Sequence, residues 1–149
     1  MTSSAAEIPM TAPPPIDQQV TFLYCADLDA ADAFYRGLLG LPLILDQGAC
    51  RIYRVGRDAF LGFCRATANL SPGTTSGTIL TLVVRSATEV DRWDAYLRAS
   101  DAAECIERPP THNRDFAIYH LFLRDPAGSR VEIQAFLDPS WPGREAVET

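Results

Sequence analysis

The sequence predicts an α+β protein built from two tandem βαβββ modules. Two observations carry this prediction: a strand–helix pattern occurs twice, and three further β-like runs follow each helix. The two halves align at a constant offset, which places Cys25 on Val84, Phe34 on Trp93 and Leu38 on Leu97. An internal duplication is the simplest account of this agreement. The alternative is a single mixed α/β domain whose halves are similar by accident.

The first module begins with a β-rich run at residues 20–25. Asp27 or Asp29 can then cap the N-terminus of a helix, and Gly40 favours its end. Apolar residues recur at helical spacing between these signals. They are Ala31, Phe34, Tyr35, Leu38 and Leu39. Three β-like runs, at 43–46, 50–55 and 59–64, complete the module.

The second module repeats this order, beginning with a strand at residues 79–84. Ser86 and Glu89 form a capping-box sequence, in which each side chain satisfies the free backbone N–H of the other residue. The apolar face of the helix comprises Val90, Trp93, Tyr96 and Leu97. Strand-like runs then follow near Cys105, at 116–123 and at 130–136, with a loop at 109–113 before the second of them.

The predicted domain extends over residues 18–138, with modules at 18–66 and 77–138 and a linker at 67–76. Residues 1–17 contain four prolines among Ser, Thr and Ala, which predicts a disordered leader. Residues 139–149 are predicted to be a C-terminal tail, because Pro142 and Gly143 follow the last strand-like run closely.

The four cysteines, Cys25, Cys50, Cys64 and Cys105, contain no closely spaced pair. A zinc knuckle needs its ligands in such pairs, and a redox dithiol needs two neighbouring thiols. Most of these cysteines have apolar, strand-like neighbours. The sequence therefore predicts buried free thiols.

The net charge of −6 excludes nucleic acid as a main partner, since the chain has no basic stripe to neutralise phosphates. No apolar stretch approaches the roughly 20 residues of a membrane helix. The N-terminus has no basic segment followed by an apolar one, so the sequence predicts no secretory signal. These observations predict a cytoplasmic protein that does not bind membranes.

Two segments resemble the vicinal oxygen chelate superfamily, which includes glyoxalase I, extradiol dioxygenases, fosfomycin-resistance enzymes and bleomycin-binding proteins. The first covers residues 27–41. The second covers residues 123–133 and contains an Asp125-Pro126-Ala127-Gly128 turn followed by Glu132. The resemblance extends over about residues 18–138. It implies an open, curved, mixed-sheet barrel with a central cleft, and it implies a homodimer.

In metal-dependent members of this superfamily, the ligands come from the first and last strands of the modules. The resemblance carries these positions onto Val20, Leu61, Ile79 and Glu132. Aliphatic side chains have no lone pair for a metal, so only Glu132 fits. We therefore predict no cofactor. The alternative is a divalent Fe, Mn, Zn or Ni ion at other positions, such as a facial triad of His112, His120 and Glu132.

The resemblance and strand alternation together predict a mostly apolar, aromatic ligand-binding face with a few polar groups. Its members are Phe22, Tyr24, Thr81, Val83, His120, Phe122, Glu132 and Gln134. Glu132 and His120 are expected to lie close together on this face. Such a pair could act as catalytic base and acid. Alternatively, Glu132 is inherited from metal-binding ancestors and only bonds His120 or water.

The leading functional hypothesis is metal-independent binding of a small apolar or aromatic molecule, such as a drug or metabolite. The alternative is a superfamily lyase, isomerase or dioxygenase that uses Glu132 with His120. A third hypothesis is an assembly subunit with a vestigial cleft. Arg108 and Arg114, which flank the predicted loop, either hold an anionic ligand or are solvated charges.

Overall fold

A computed structural model describes residue 13 and residues 18–66 and 78–141. Most of the predicted leader, linker and tail lies outside these described residues. The described part contains two successive βαβββ modules, each with one four-stranded mixed sheet, which confirms the predicted fold class. The two sheets are curved and open rather than closed into one barrel.

The first module contains β1 (Gln19–Cys25), α1 (Leu28–Asp32), β2 (Leu43–Asp46), β3 (Cys50–Arg54) and β4 (Ala59–Arg65). Helix α1 continues as a π-helix over Ala33–Leu38. The second module contains β5 (Ile79–Val83), α2 (Ala87–Ala99), β6 (Ile106–Asn113), β7 (Ile118–Arg124) and β8 (Arg130–Phe136). A short 3-10 turn, Ala103–Cys105, precedes β6.

Both sheets have the same strand order, β1-β4-β3-β2 in the first module and β5-β8-β7-β6 in the second. The first strand of each module pairs in parallel with the last strand, and all other neighbours are antiparallel. Each sheet has its helix against one face. We call the opposite face of each sheet its open face, because it carries the predicted ligand-binding residues.

The helix boundaries follow from the capping residues that the sequence contains. The Asp27 side chain accepts hydrogen bonds from the backbone N–H groups of Asp29 and Ala30, both at 3.0 Å. Gly40 has a φ of 73°, a left-handed conformation that glycine adopts without steric cost. The Ser86 side chain accepts a bond from the Glu89 N–H at 3.3 Å. All three termini lie where the sequence predicts them.

Two boundaries in the second module differ from the prediction. Residues 109–113 form the end of β6 rather than a loop, although Pro109 and Pro110 cannot donate to a β-ladder. Strand β6 is at the sheet edge and its pairing with β7 shifts register twice, which is where proline is tolerated. Strand β7 starts at Ile118, because Ala117 has a positive φ of 51° and Phe116 is 72% exposed.

One hydrophobic core extends through both modules, and a buried polar contact joins them. The Tyr35 hydroxyl donates to Asp125 Oδ2 at 2.8 Å, and both residues are buried. Burial, followed by the nearby Asp125 carboxylate, raises the pKa of Tyr35 well above its usual value. The hydroxyl of Tyr96 also donates across the modules, to the Leu38 carbonyl at 2.8 Å. These contacts fix the helix of the first module against the second module.

The Asp125-Pro126-Ala127-Gly128 turn has the local geometry that its sequence predicts. Oδ1 of Asp125 accepts from the backbone N–H groups of Ala127 at 3.0 Å and Ser129 at 2.7 Å. Gly128 has a φ of 85°. The same carboxylate therefore closes the turn with one oxygen and binds Tyr35 with the other, so the turn is also the junction between modules.

The prediction of free thiols is wrong for two of the four cysteines. Cys50 and Cys64 form a disulfide between β3 and β4, while Cys25 and Cys105 are free. The Arg65 N–H donates to the Ala49 carbonyl, which makes Cys50 and Cys64 a non-hydrogen-bonded pair across the two strands. Cα atoms approach most closely at such pairs, so the two thiols meet without any change in the backbone.

Candidate functional site

The centre of the candidate site is a polar cluster on the open face of the second sheet. Thr81 lies beside Glu132 in the parallel ladder, and its hydroxyl donates to Glu132 Oε1 at 2.7 Å. His120 lies on the next strand, β7, and its Nδ1 is 2.5 Å from Glu132 Oε2. Strand alternation and the superfamily resemblance together predict this common face, and the register brings the three side chains into contact.

Gln134 completes the polar cluster. With its side-chain nitrogen facing Glu132, the Gln134 amide donates hydrogen bonds to Oε1 at 2.9 Å and to Oε2 at 3.1 Å. Glu132, His120 and Gln134 are each 5–6% exposed, whereas Thr81 is exposed. The carboxylate of Glu132 thus has protein donors on both oxygens, as a buried polar group requires.

One end of the polar cluster is cationic. Arg130 and Arg108 place their guanidinium carbons 5.2 Å and 5.9 Å from the ring centre of Phe122, which makes an edge contact with His120 at 4.8 Å. Arg130 also donates to Glu107 Oε1 at 2.7 Å. Hydrogen bonds from Arg130 and then Arg124 hold the pKa of Glu107 below its usual 4.5, and they outweigh its desolvation.

The other end of the polar cluster is aromatic. Phe136, two residues beyond Gln134 on the same face of β8, stacks on Trp141 with ring centres 3.7 Å apart. Trp141 is 42% exposed, and Val83, which pairs with Gln134 in the ladder, is 52% exposed. The open face of this sheet therefore changes from cationic to polar to aromatic along β8.

The first module has a different arrangement at the equivalent place. Phe22 pairs with Gly62 in the parallel ladder and lies directly over it, so that a Cβ at position 62 would overlap the Phe22 ring. Tyr24 pairs with Cys64 and so lies on the same face as the disulfide. No hydrogen bond or ring contact between described residues joins Phe22 or Tyr24 to the polar cluster around Glu132. The predicted ligand-binding residues thus form two groups, one on each sheet.

The assignment of Leu61 to the position equivalent to Glu132 is wrong. The partner of Glu132 is Thr81, the counterpart of Thr81 in the repeat is Phe22, and the partner of Phe22 is Gly62. Leu61 is buried in the core, on the helix-facing side of β4. The offset that aligns the two helices does not hold for the last strands, because the intervening connections differ in length. A slip of one residue reverses the face.

The metal positions implied by the resemblance are therefore Val20, Gly62, Ile79 and Glu132. The first three have no donor atom in their side chains, and Glu132 already accepts from Thr81 and His120. Among residues 18–66 and 78–141, no group of three or more His, Cys, Asp or Glu side chains is arranged to hold a metal ion. These residues do not fit the metal centre of the superfamily.

The alternative triad of His112, His120 and Glu132 is also wrong. His112 pairs with Tyr119 and its ring packs on that tyrosine at 4.6 Å, whereas His120 pairs with Thr111. Adjacent residues of a strand point to opposite faces, so His112 and His120 lie on opposite faces of the sheet. The hydroxyl of Tyr119 donates to Asp91 of α2, which raises the pKa of Tyr119 to about 12 and marks that face as the helix side.

A cavity of about 170 Å³ lies at the junction between the modules. Its walls come from the start of α1 and from the turn after β7, and they include Cys25, Asp27, Asp125 and Pro126. None of the predicted ligand-binding residues lines it. Its volume is below the roughly 300 Å³ at which small-molecule sites begin.

Comparisons with known proteins identify the family and support the fold. The family model described as Glyoxalase/Bleomycin resistance protein/Dioxygenase superfamily matches residues 17–133. No curated protein matches the sequence. No helix in the described part of the chain has the length and apolar character needed to cross a membrane.

Several solved structures share the fold across most of the chain. A glyoxalase/bleomycin resistance protein/dioxygenase from Nocardioides has a TM-score of 0.67 and 22% identity, covering 92% of this chain and 93% of its own. A lactoylglutathione lyase from Agrobacterium tumefaciens has a TM-score of 0.62 and 28% identity, covering 82% and 95%. A glyoxalase/bleomycin resistance protein/dioxygenase family enzyme from Burkholderia phytofirmans PsJN has a TM-score of 0.67 and 20% identity, covering 82% and 100%.

Sequence reasoning missed four features of the two open faces: Gly62, the disulfide, Arg130 and the Phe136–Trp141 stack. A signal existed for the disulfide, since Cys50 and Cys64 lie at the outer ends of two predicted strands of equal length around one turn. Strand alternation was a signal for Arg130, because it lies two residues before Glu132 and therefore on the same face of the strand. The stacking of Trp141 on Phe136 had none, because Trp141 follows the last strand in an irregular segment.

Proposed function

Because the chain belongs to the glyoxalase/bleomycin resistance protein/dioxygenase superfamily, we propose that it binds a small, apolar or aromatic molecule without a metal. The observation that carries this proposal is the state of Glu132. Of the four positions implied for metal ligands, Glu132 is the one whose side chain could bind a metal. Both of its carboxylate oxygens already accept hydrogen bonds from protein groups. A cation there would have to displace Thr81 and His120 and would gain no second ligand from Val20, Gly62 or Ile79.

The side chains around the polar cluster suit an organic ligand. Phe122, Phe136 and Trp141 offer aromatic surface, Val83 offers apolar surface, and Thr81 offers an exposed hydroxyl. Binding sites for small molecules combine such apolar walls with a few fixed polar groups. In the proposed role, Glu132 holds Thr81 and His120 in place rather than reacting with the ligand.

Metal analysis tests the metal-free part of the proposal. Protein purified without chelator is incubated with Fe, Mn, Zn or Ni salts, desalted and compared with a Glu132→Ala variant. We expect neither protein to retain a stoichiometric ion. One equivalent of metal in the wild type that disappears in Glu132→Ala would overturn the proposal.

A thermal-shift screen against aromatic metabolites and antibiotics tests the binding part. A ligand at about 100 times its Kd should stabilise the protein by roughly 2.7 kcal/mol. A Thr81→Trp variant, which fills the exposed position beside Glu132, should abolish that shift. A ligand whose shift is unchanged in Thr81→Trp would place binding elsewhere. No shift with any compound would favour a vestigial cleft.

One observation favours a second candidate, an acid–base enzyme of the superfamily. The contact between Glu132 and His120 Nδ1 orients the imidazole and leaves Nε2 as the nitrogen that could take or give a proton. The lactoylglutathione lyase that shares the fold makes lactoylglutathione the first compound to assay. Turnover by the wild type that is lost in His120→Ala, at unchanged stability, would support this candidate. We expect no turnover.

We also propose a homodimer. The outermost strands β1 and β5 expose apolar side chains on their open faces, with Val20 at 39%, Phe22 at 48% and Ile79 at 48% exposure. Exposed apolar surface along a sheet edge is typical of an interaction site. Sedimentation velocity should therefore give twice the chain mass, and Phe22→Glu should reduce it to the monomer mass. A wild type that is monomeric at micromolar concentration contradicts this.

A further inference from the structure

Positive charge is concentrated at one end of the open face of the second sheet, although the chain as a whole carries a net charge of −6. Arg124 and Arg130 bind one exposed carboxylate, that of Glu107, and Arg108 lies against the Phe122 ring that Arg130 also contacts. Glu107 accepts from both Arg124 and Arg130. Three guanidinium groups and one carboxylate leave an excess of positive charge at this end.

Arg108 is the arginine of this group that has no acidic partner among the described residues. It is exposed, it pairs with Phe122 in the β6–β7 ladder, and its guanidinium lies against the Phe122 ring. The ring fixes the guanidinium through a cation–π contact without neutralising its charge. The five N–H donors of Arg108 therefore face solvent beside the polar cluster, in a position to form paired bonds to a carboxylate.

The register of the sheet fixes the separation between Arg108 and the aromatic end. Arg108 pairs with Phe122, which pairs with Glu132, so Arg108 lies in the same row as Glu132, two strand spacings of about 4.8 Å from β8. Gln134 lies one repeat of about 7 Å further along β8, and its partner Val83 lies one strand beyond, so the backbones of Arg108 and Val83 are about 16 Å apart. Phe136 and Trp141 lie one strand repeat further on. A ligand that contacts both ends must be elongated, with its charge and its apolar part at opposite ends.

We propose that the ligand of this site is an elongated amphipathic anion, with a carboxylate on Arg108 and an apolar group against Val83, Phe136 and Trp141. This inference rests on the proposed binding function and names the chemical class of ligand. The polar cluster lies between the two ends. Thr81, the exposed member of the cluster, lies two residues from Val83 on β5 and contacts the apolar half of the ligand.

The test compares phenylhexanoate with phenylhexanamide, which has the same size and shape without the charge. Trp93→Phe leaves Trp141 as the single tryptophan, so its fluorescence reports occupancy of the aromatic end. In this background, phenylhexanoate should bind about tenfold more tightly than the amide, since a hydrogen bond to a charged group contributes that much or more. Arg108→Gln should remove this difference, and Arg108→Lys should restore part of it.

Arg57→Gln is the matched control, because it removes one exposed arginine from the β3–β4 turn of the other module. It should leave the tenfold difference unchanged, and melting curves should show that every variant is folded. Equal binding of acid and amide to the wild type would overturn this inference alone. Equal loss in Arg57→Gln and Arg108→Gln would also overturn it, since only net charge would then matter. Failure of both compounds to bind would count against the inference and the proposed binding function together.

Discussion

The two modules have the same strand order and register, yet they fill the equivalent position in opposite ways. In the first module, the Phe22 ring covers Gly62. In the second, Thr81 bonds to Glu132. The ring removes any need for a polar partner, whereas the carboxylate requires three donors around it. The comparison shows that a duplicated backbone can carry an apolar surface in one copy and a polar cluster in the other.

Removing Glu132 should have the largest effect on this contrast. Glu132→Ala leaves the donors of Thr81, His120 and Gln134 without their acceptor in a mostly buried setting. We expect a loss of about 4 kcal/mol in the free energy of unfolding, measured by urea denaturation. Glu132→Gln, which keeps the volume and one acceptor, should lose only about 1 kcal/mol. Equal losses in the two variants would show that the charge of the carboxylate, which neither variant keeps, dominates over side-chain volume and the remaining acceptor.

The disulfide distinguishes the first module from the second and should have the next largest effect. Cys50 and Cys64 are separated by 14 residues, a span for which restriction of the unfolded chain stabilises by about 3 kcal/mol at most. The Cys50→Ser/Cys64→Ser variant should lose up to that amount, and dithiothreitol should destabilise the wild type to the same level. Cys105→Ser is the control, because Cys105 is free. If dithiothreitol leaves the wild-type unfolding curve unchanged, the cross-link contributes no stability.

Adding a methyl group under Phe22 should have a smaller effect. Gly62→Ala forces the ring to move, but Phe22 is 48% exposed and can rotate outward, so we expect a loss of about 1 kcal/mol. Gly56→Ala, where a Cβ meets nothing within 4 Å, should be close to neutral. In a Phe22→Ala background the cost of Gly62→Ala should vanish, which a double-mutant cycle measures. A cost that persists there would mean that the backbone, not the ring, opposes the methyl group.

The pH dependence of Glu107 should give the smallest effect. Its pKa in the folded chain lies below its unfolded value of 4.5, so the stability that it contributes is present above that pH and declines as the pH falls through the folded pKa. An NMR titration should show Arg130→Gln moving the pKa of Glu107 upward. The pKa of Asp32 in the first module should stay low in the same variant. Burial is the largest single influence on Asp32 and raises its pKa, but hydrogen bonds from Tyr53 and Arg36 together lower the pKa by more. An unchanged Glu107 pKa would assign its depression to Arg124 instead.

Local patterns in the sequence were sufficient to predict the helices and strands and about half of the candidate site. The capping residues Asp27 and Ser86 and the glycine at position 40 determine where the helices begin and end. Strand alternation together with the superfamily resemblance places Thr81, His120 and Glu132 on one face. These predictions succeed because they depend on neighbours within a few residues, where backbone geometry relates sequence spacing to direction.

Contacts between distant segments could not be predicted in the same way. The position of Gly62 under Phe22 depends on the register of β4 against β1. The register is the same in both modules, but connections of unequal length change the sequence offset between their last strands. The ends of β6 follow from its pairing with β7, which holds Pro109 and Pro110 in extended backbone at a sheet edge. Sequence spacing does not report such pairing.

The sequence by itself thus determined the duplicated α+β fold, the lack of donors at Val20 and Ile79, and the common face of Glu132 and His120. Tertiary structure decided that Gly62 rather than Leu61 is the counterpart of Glu132, that Cys50 bonds to Cys64, and that Arg108 lies beside Phe122. The physical reason is the distance along the chain over which each property is determined. The direction of a side chain follows from backbone geometry within its own strand, but its neighbours follow from the register between strands, which the whole core sets.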